Sequence, residues 1–132
     1  MTPEIADRIA GGLFGLCVGD ALGATCEFLS PAEIARRHGR HTEIIGGGSF
    51  GWRPGQGTDD SDMAMVIARA YAEGYSLEAV AKGFVSWYRS NPRDIGGTTA
   101  TALTKLAHGE NPRRSGATHD RSAANGSLMR AV

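Results

Sequence analysis

Residues 55–74 read GQGTDDSDMAMVIARAYAEG. A glycine loop gives way at Thr58 to a segment in which Met63, Val66, Ile67 and Ala70 recur at helical spacing, the mark of one apolar helix face. The spacing predicts a helix from Thr58 through Ala72, with Gly74 as its stop. Its first turn holds Asp59, Asp60 and Asp62. One carboxylate there is favoured by the unpaired N–H groups and the helix dipole, by about 0.3–1 kcal/mol. Two carboxylates about 4 Å apart repel by roughly 4 kcal/mol at an effective dielectric of about 20. Capping therefore accounts for one Asp or two, and poorly for all of them. A hard divalent cation, which takes carboxylate and hydroxyl oxygens, is the other reading of Thr58, Asp59 and Asp60. The residues alone leave both open.

Outward from this segment the pattern stays helical. Thr2 caps and Pro3 opens a helix with Glu4 in its first turn, and Ile5, Ile9, Leu13, Leu16 and Ala24 follow helical spacing. Gly11, Gly12, Gly15, Gly19 and Gly23 lie inside it, each about 1 kcal/mol worse than Ala, so close packing or ligand approach is expected to offset them. Ser30, Pro31 and Gly39 bound a short second helix. Residues 45–57 form a loop by every turn signal. Ser76 caps a helix that ends at Asn91-Pro92, another runs from near Gly97 to Gly109, and residues 123–132, AANGSLMRAV, begin a further helical segment. No strand pattern or internal repeat is present, so the predicted fold is all-α.

With 132 residues the chain suffices for one small domain. Equal numbers of basic and acidic residues, 14 each, argue against nucleic acid or an anionic membrane as partner. No apolar run approaches the roughly 20 residues of a membrane span, and the N-terminus lacks the pattern of a signal peptide. Cys17 and Cys26 read as reduced thiols, which with these features points to the cytoplasm. Glycine is abundant, 19 residues, against an average near ~7%, and serves loops, tight packing or ligand-facing backbone.

Three further constellations carry chemistry. Asp20 and Glu27, two turns apart, are expected on one helix face. Asp20 reads either as part of a site or as a buried cap for another helix, Glu27 either as an acid/base group or as a solvated acid. Asp94 precedes the helix start Gly96-Gly97-Thr98-Thr99, where N–H groups favour an anion or a hydroxylated ligand; an ordinary cap is the alternative. Asn125-Gly126-Ser127 is a phosphate cradle or a simple turn. His38, His41, His108 and His119 match no metal-ligand spacing and are expected on solvated surface.

In order along the chain, GLFGLCVGDALGATCEF (12–28), GQGTDDSDMAM (55–65), RDIGGTTATAL (93–103) and AANGSLMRAV (123–132) resemble the ADP-ribosylglycohydrolases, a family that includes the dinitrogenase reductase-activating enzymes. The resemblance implies a compact all-α multi-helix fold with a two-metal Mg²⁺ or Mn²⁺ centre that removes ADP-ribose from modified proteins or small molecules. By motif, it implies Thr58, Asp59 and Asp60 as metal ligands and Glu27 as the acid near the catalytic water. Asp94 would face the ribose or leaving group, and Asn125, Gly126 and Ser127 would contact the diphosphate. The family draws its remaining metal ligands from a later Asp-x-Asp-Ser/Thr motif with no counterpart here, and a pair of divalent cations carries more charge than Glu27, Asp59 and Asp60 balance. The expectation is that residues 1–132 are the N-terminal part of a single such domain, truncated, which needs a C-terminal half or a second copy as partner. A non-catalytic ADP-ribose-binding relative is the alternative.

Overall fold

Thr2 caps the first helix, α1 (Pro3–Gly23), its hydroxyl accepting the Ile5 N–H at 3.4 Å. The structure, a computed structural model, describes residues 1–119 and 122–131; Val132, the last residue of the fourth motif, lies outside them. α1 is apolar on every side, as a helix enclosed by protein is, yet only Ala21 along it is fully buried, and Phe14 is 73% and Val18 52% exposed. A Cβ at Gly11, Gly15, Gly19 or Gly23 would meet nothing within 4 Å. The close packing expected to offset these glycines is therefore not found among the described residues.

α2 (Pro31–His38) opens with a reciprocal capping box. Glu33 Oε2 accepts from the Ser30 N–H at 2.9 Å and from its hydroxyl at 2.7 Å, while the Glu33 N–H donates to Ser30 Oγ at 3.3 Å. The Ser30 hydroxyl and N–H hold the Glu33 carboxyl below the ordinary carboxylate range. A carboxyl with a lowered folded-state pKa contributes stability above its unfolded value, about 4.3, and loses it as pH falls through the folded value. Thermal melts should therefore show Glu33→Gln less stable than the parent near neutrality. The gap is expected to close as pH falls below about 4.

α1, α2 and the loop up to Thr58 form one compact unit, and residues 59–131 another. The second unit is built on α3 (Asp59–Ala72), α4 (Leu77–Arg89) and α5 (Gly97–Ala107), with α3 packed on α4 and α4 on α5. Met63, Ala70, Val80, Phe84 and Leu103 form its buried core, with Val66, Ile67 and Trp87 packed against it. The predicted apolar face of α3 is thus the face that is buried, at roughly 1.5–3 kcal/mol for each large side chain enclosed. Gly83 lets α4 approach α3, since a Cβ there would lie 2.6 Å from Val66 Cγ1. Trp87 Nε1 donates to Asp62 Oδ2 at 2.9 Å across the same pair.

The described residues contain no strand, only an isolated antiparallel bridge between Gly47 and Trp52. The last segment differs from expectation. Residues 126–130 form turns rather than a helix, because the N–H groups of Leu128 and Met129 both close on the Asn125 carbonyl and the ladder goes no further. No helix of the described residues is long and apolar enough to cross a membrane.

Candidate functional site

In the first unit the chemistry gathers around the end of α1. Asp20, half-buried in its last turn, accepts from the Thr58 N–H at 2.7 Å through Oδ2 and from the Thr58 hydroxyl at 2.6 Å through Oδ1. Thr58 is buried, at 6% exposure. The reading of Asp20 as a cap is the one realised: both carboxylate oxygens hold the residue that leads into α3. Since the Thr58 hydroxyl proton is directed to Asp20, that oxygen meets any cation as an electron-pair donor.

Glu27 is not on the helix face of Asp20. α1 ends at Gly23, and the chain turns through bonds from the Cys26 N–H to the Gly23 carbonyl at 2.8 Å and from the Leu29 N–H to the Cys26 carbonyl at 3.0 Å. A terminal glycine and these short-range bonds outcompete a further helical turn, leaving Glu27 half-buried in an irregular turn. Phe28 follows with φ +63°. The glycine loop braces this turn: Ser49 Oγ donates to the Glu27 carbonyl at 3.2 Å, and the buried Thr25 hydroxyl donates to the Gly46 carbonyl at 2.9 Å. Gly46 and Gly48 are required by both φ and space. A Cβ on Gly46 would lie 2.5 Å from the Trp52 carbonyl oxygen, and one on Gly48 would run into the Ala24 carbonyl.

Two of the four histidines are better placed than expected. His41 Nε2 donates to the Leu22 carbonyl at 3.0 Å, and its ring lies 5.2 Å from that of half-buried His38. Cys17 and Cys26 are half-buried thiols with no disulfide.

In the second unit, Asp59 and Asp60 occupy the first turn of α3, both half-buried. Asp62, one residue past the buried Ser61, is exposed and engaged by Trp87. Asp94 lies half-buried in the connection between α4 and α5, ahead of the α5 N-terminus, whose cap Gly96 brings no side-chain hydrogen bond. The turn Asn125-Gly126-Ser127 comes back to this end of α5. A Cβ on Gly126 would lie 2.8 Å from Oγ1 of Thr99, a buried residue of the first α5 turn. The third and fourth motifs, remote in sequence, therefore share one helix end. Arg130 places its guanidinium 5.0 Å over the Phe84 ring, and its burial lowers its pKa. Among the described residues, no group of three or more His, Cys, Asp or Glu side chains stands together as a ready-made cation cage.

Sequence reasoning did not anticipate the pairing of Asp20 with Thr58 or the role of Thr99. The apolar surroundings of Asp20 were the only hint of the first, and nothing in the local pattern signals the second.

Comparison with known proteins agrees with this arrangement. The sequence profile of the ADP-ribosylglycohydrolase family matches residues 1–132. The ADP-ribosyl-[dinitrogen reductase] glycohydrolase of Rhodospirillum rubrum is 39% identical over 108 residues, covering 80% of this chain and 37% of that protein. A putative ADP-ribosyl glycohydrolase of Acanthamoeba polyphaga mimivirus is 36% identical, covering 98% of this chain and 41% of the viral protein. The ADP-ribosylarginine hydrolase Tri1 of Serratia proteamaculans is also 36% identical, with coverages of 96% and 36%. The chain thus spans less than half the length of these relatives. On the profile match across every residue and on these identities, the chain belongs to the ADP-ribosylglycohydrolase family.

Proposed function

We propose that this chain serves a metal-dependent glycosidic hydrolase that removes ADP-ribose from a modified protein side chain. The observation that carries the reading is the double hydrogen bond from Thr58 to Asp20, which fixes the residue leading into Asp59 and Asp60. A hydroxyl whose proton points away, followed by two half-buried carboxylates, is a donor set of hard oxygens. It suits Mg²⁺ or Mn²⁺ and not a soft metal. Thr58, Asp59 and Asp60 would hold such an ion, with further ligands from outside this set. Bound, it would act as a Lewis acid and a template for the ribose hydroxyls.

The chain's own residues account for the rest. Glu27, on a turn braced by Ser49, accepts a proton from the attacking water. Asp94 faces the ribose or the leaving group. Positive charge develops on the sugar as the bond at the anomeric carbon breaks, and an acidic surround favours that oxocarbenium-like state. The turn Asn125-Gly126-Ser127 and the open N-terminus of α5 supply N–H groups for the diphosphate. The names of the relatives support a protein-linked substrate, and two of them, the Tri1 proteins of Serratia proteamaculans and Pseudomonas putida, are named for ADP-ribosylarginine.

The test combines calorimetric titration of the chain with Mg²⁺, Mn²⁺ and ADP-ribose and chromatographic assay of ADP-ribose release from a modified peptide. Release is measured with and without a polypeptide bearing the Asp-x-Asp-Ser/Thr motif. Metal-dependent binding and release are expected. Binding with no release in either mixture would make the chain an ADP-ribose binder, and no binding of metal or ADP-ribose would sink the reading.

A further inference from the structure

Resting on the hydrolase reading above, we propose that Phe28 is a specificity-determining residue: its ring, backed by Phe50 and Trp52, is the platform on which the guanidinium of an ADP-ribosylated arginine rests.

Backbone conformation gives the first argument. Among the described residues, eight glycines adopt positive φ, and the only other residues to do so are Asn91 and Phe28. Asn tolerates that region because its short amide bonds locally. An aromatic residue has no such compensation, and a chain that places glycine at every comparable turn places phenylalanine here. Strain of this kind persists where surrounding structure imposes it, and it concentrates at functional positions. The imposing structure is the glycine loop, tied to the turn through Ser49 and the Glu27 carbonyl and through Thr25 and the Gly46 carbonyl.

Exposure and ring geometry give the second. Phe28 is 76% exposed. Its ring meets Phe50 edge-on at 6.2 Å between centroids, and Phe50 lies 5.9 Å from Trp52, which is buried at 7% exposure. The three rings run from the interior of the unit to its surface and end beside Glu27, the residue assigned to the reacting water. A side chain spent on apolar contact alone would be turned inward. A ring anchored from behind and presented outward offers its face to a ligand.

The chemistry of the leaving group selects the ligand. Arginine linked to ADP-ribose through its guanidinium is planar and cationic, and it stacks on an aromatic face with electrostatic attraction. A serine-linked substrate offers a small neutral oxygen and gains nothing there. Phe28 therefore discriminates between linkages without taking part in bond breaking.

The experiment is titration of the Mg²⁺-loaded chain with free ADP-ribose, an arginine-linked ADP-ribosyl peptide and the serine-linked equivalent. It is repeated on Phe28→Leu and Phe28→Tyr, which keep the backbone strain unchanged. The parent should favour the arginine linkage by roughly fivefold, Phe28→Leu should abolish that preference, and Phe28→Tyr should retain it. An unaltered preference in Phe28→Leu, or equal weakening of both peptides, overturns the platform, as does a parent that binds ADP-ribose but does not prefer arginine. Failure of the parent to bind even free ADP-ribose refutes the hydrolase reading and the platform with it.

Discussion

Replacing Asp20 by Ala should lower the unfolding free energy by about 3 kcal/mol, measured by urea denaturation. Two short hydrogen bonds to one carboxylate are lost, each worth roughly 1.5–3 kcal/mol when a charged group is involved. The larger part of the effect comes from what remains: Thr58 is buried, so its N–H and hydroxyl lose their partner where water reaches them poorly. Asp20→Asn separates charge from geometry. The amide oxygen can still accept one of the two bonds, so about half of the loss is expected. Equal stability of Asp20→Ala and the parent would mean that the clamp contributes nothing.

The second large effect concerns Asp59 and Asp60. Asp60→Ala, and more strongly the double replacement with Asp59→Ala, should weaken Mg²⁺ or Mn²⁺ binding at least about 100-fold, since loss of a mere outer-shell partner already weakens metal sites 10–100-fold. Stability in metal-free buffer should be unchanged or higher, because adjacent carboxylates no longer repel. If these acids only capped α3, the pattern would invert: metal affinity would be untouched and the melting temperature would fall. Titration calorimetry with melts in the presence of a chelator separates the two outcomes.

The helices were legible because each carries its own local signals. Thr2-Pro3, Ser30-Pro31 and Ser76 mark starts, and Gly39 and Gly74 mark stops. The face of Met63, Val66, Ile67 and Ala70 fixed which side of α3 is enclosed. Features that depend on distant partners were not legible. Glu27 was expected on α1, and no local rule says that a loop more than twenty residues away would brace a turn there. Thr99 looked like an ordinary helix-start residue until Gly126 was found against it. The final segment has helical composition, but its N–H groups converge on one carbonyl, a choice that propensity does not encode. Candidate residues could be named from motifs, whereas their supports, Asp20 and Ser49, had to be seen in space.

The clamp between Asp20 and Thr58 also bears on the order in which the chain acquires its structure. The two residues are 38 apart in sequence. Helices α1 and α3 can form from neighbours three and four residues away, while this pair must first close a long and glycine-rich loop, an entropic step that local contacts do not assist. The clamp therefore belongs to the final stages of folding. Its removal should appear chiefly as faster unfolding, with the refolding rate little changed. The residue that leads into the acidic turn would be the last to find its place in a newly made chain, and the first to lose it.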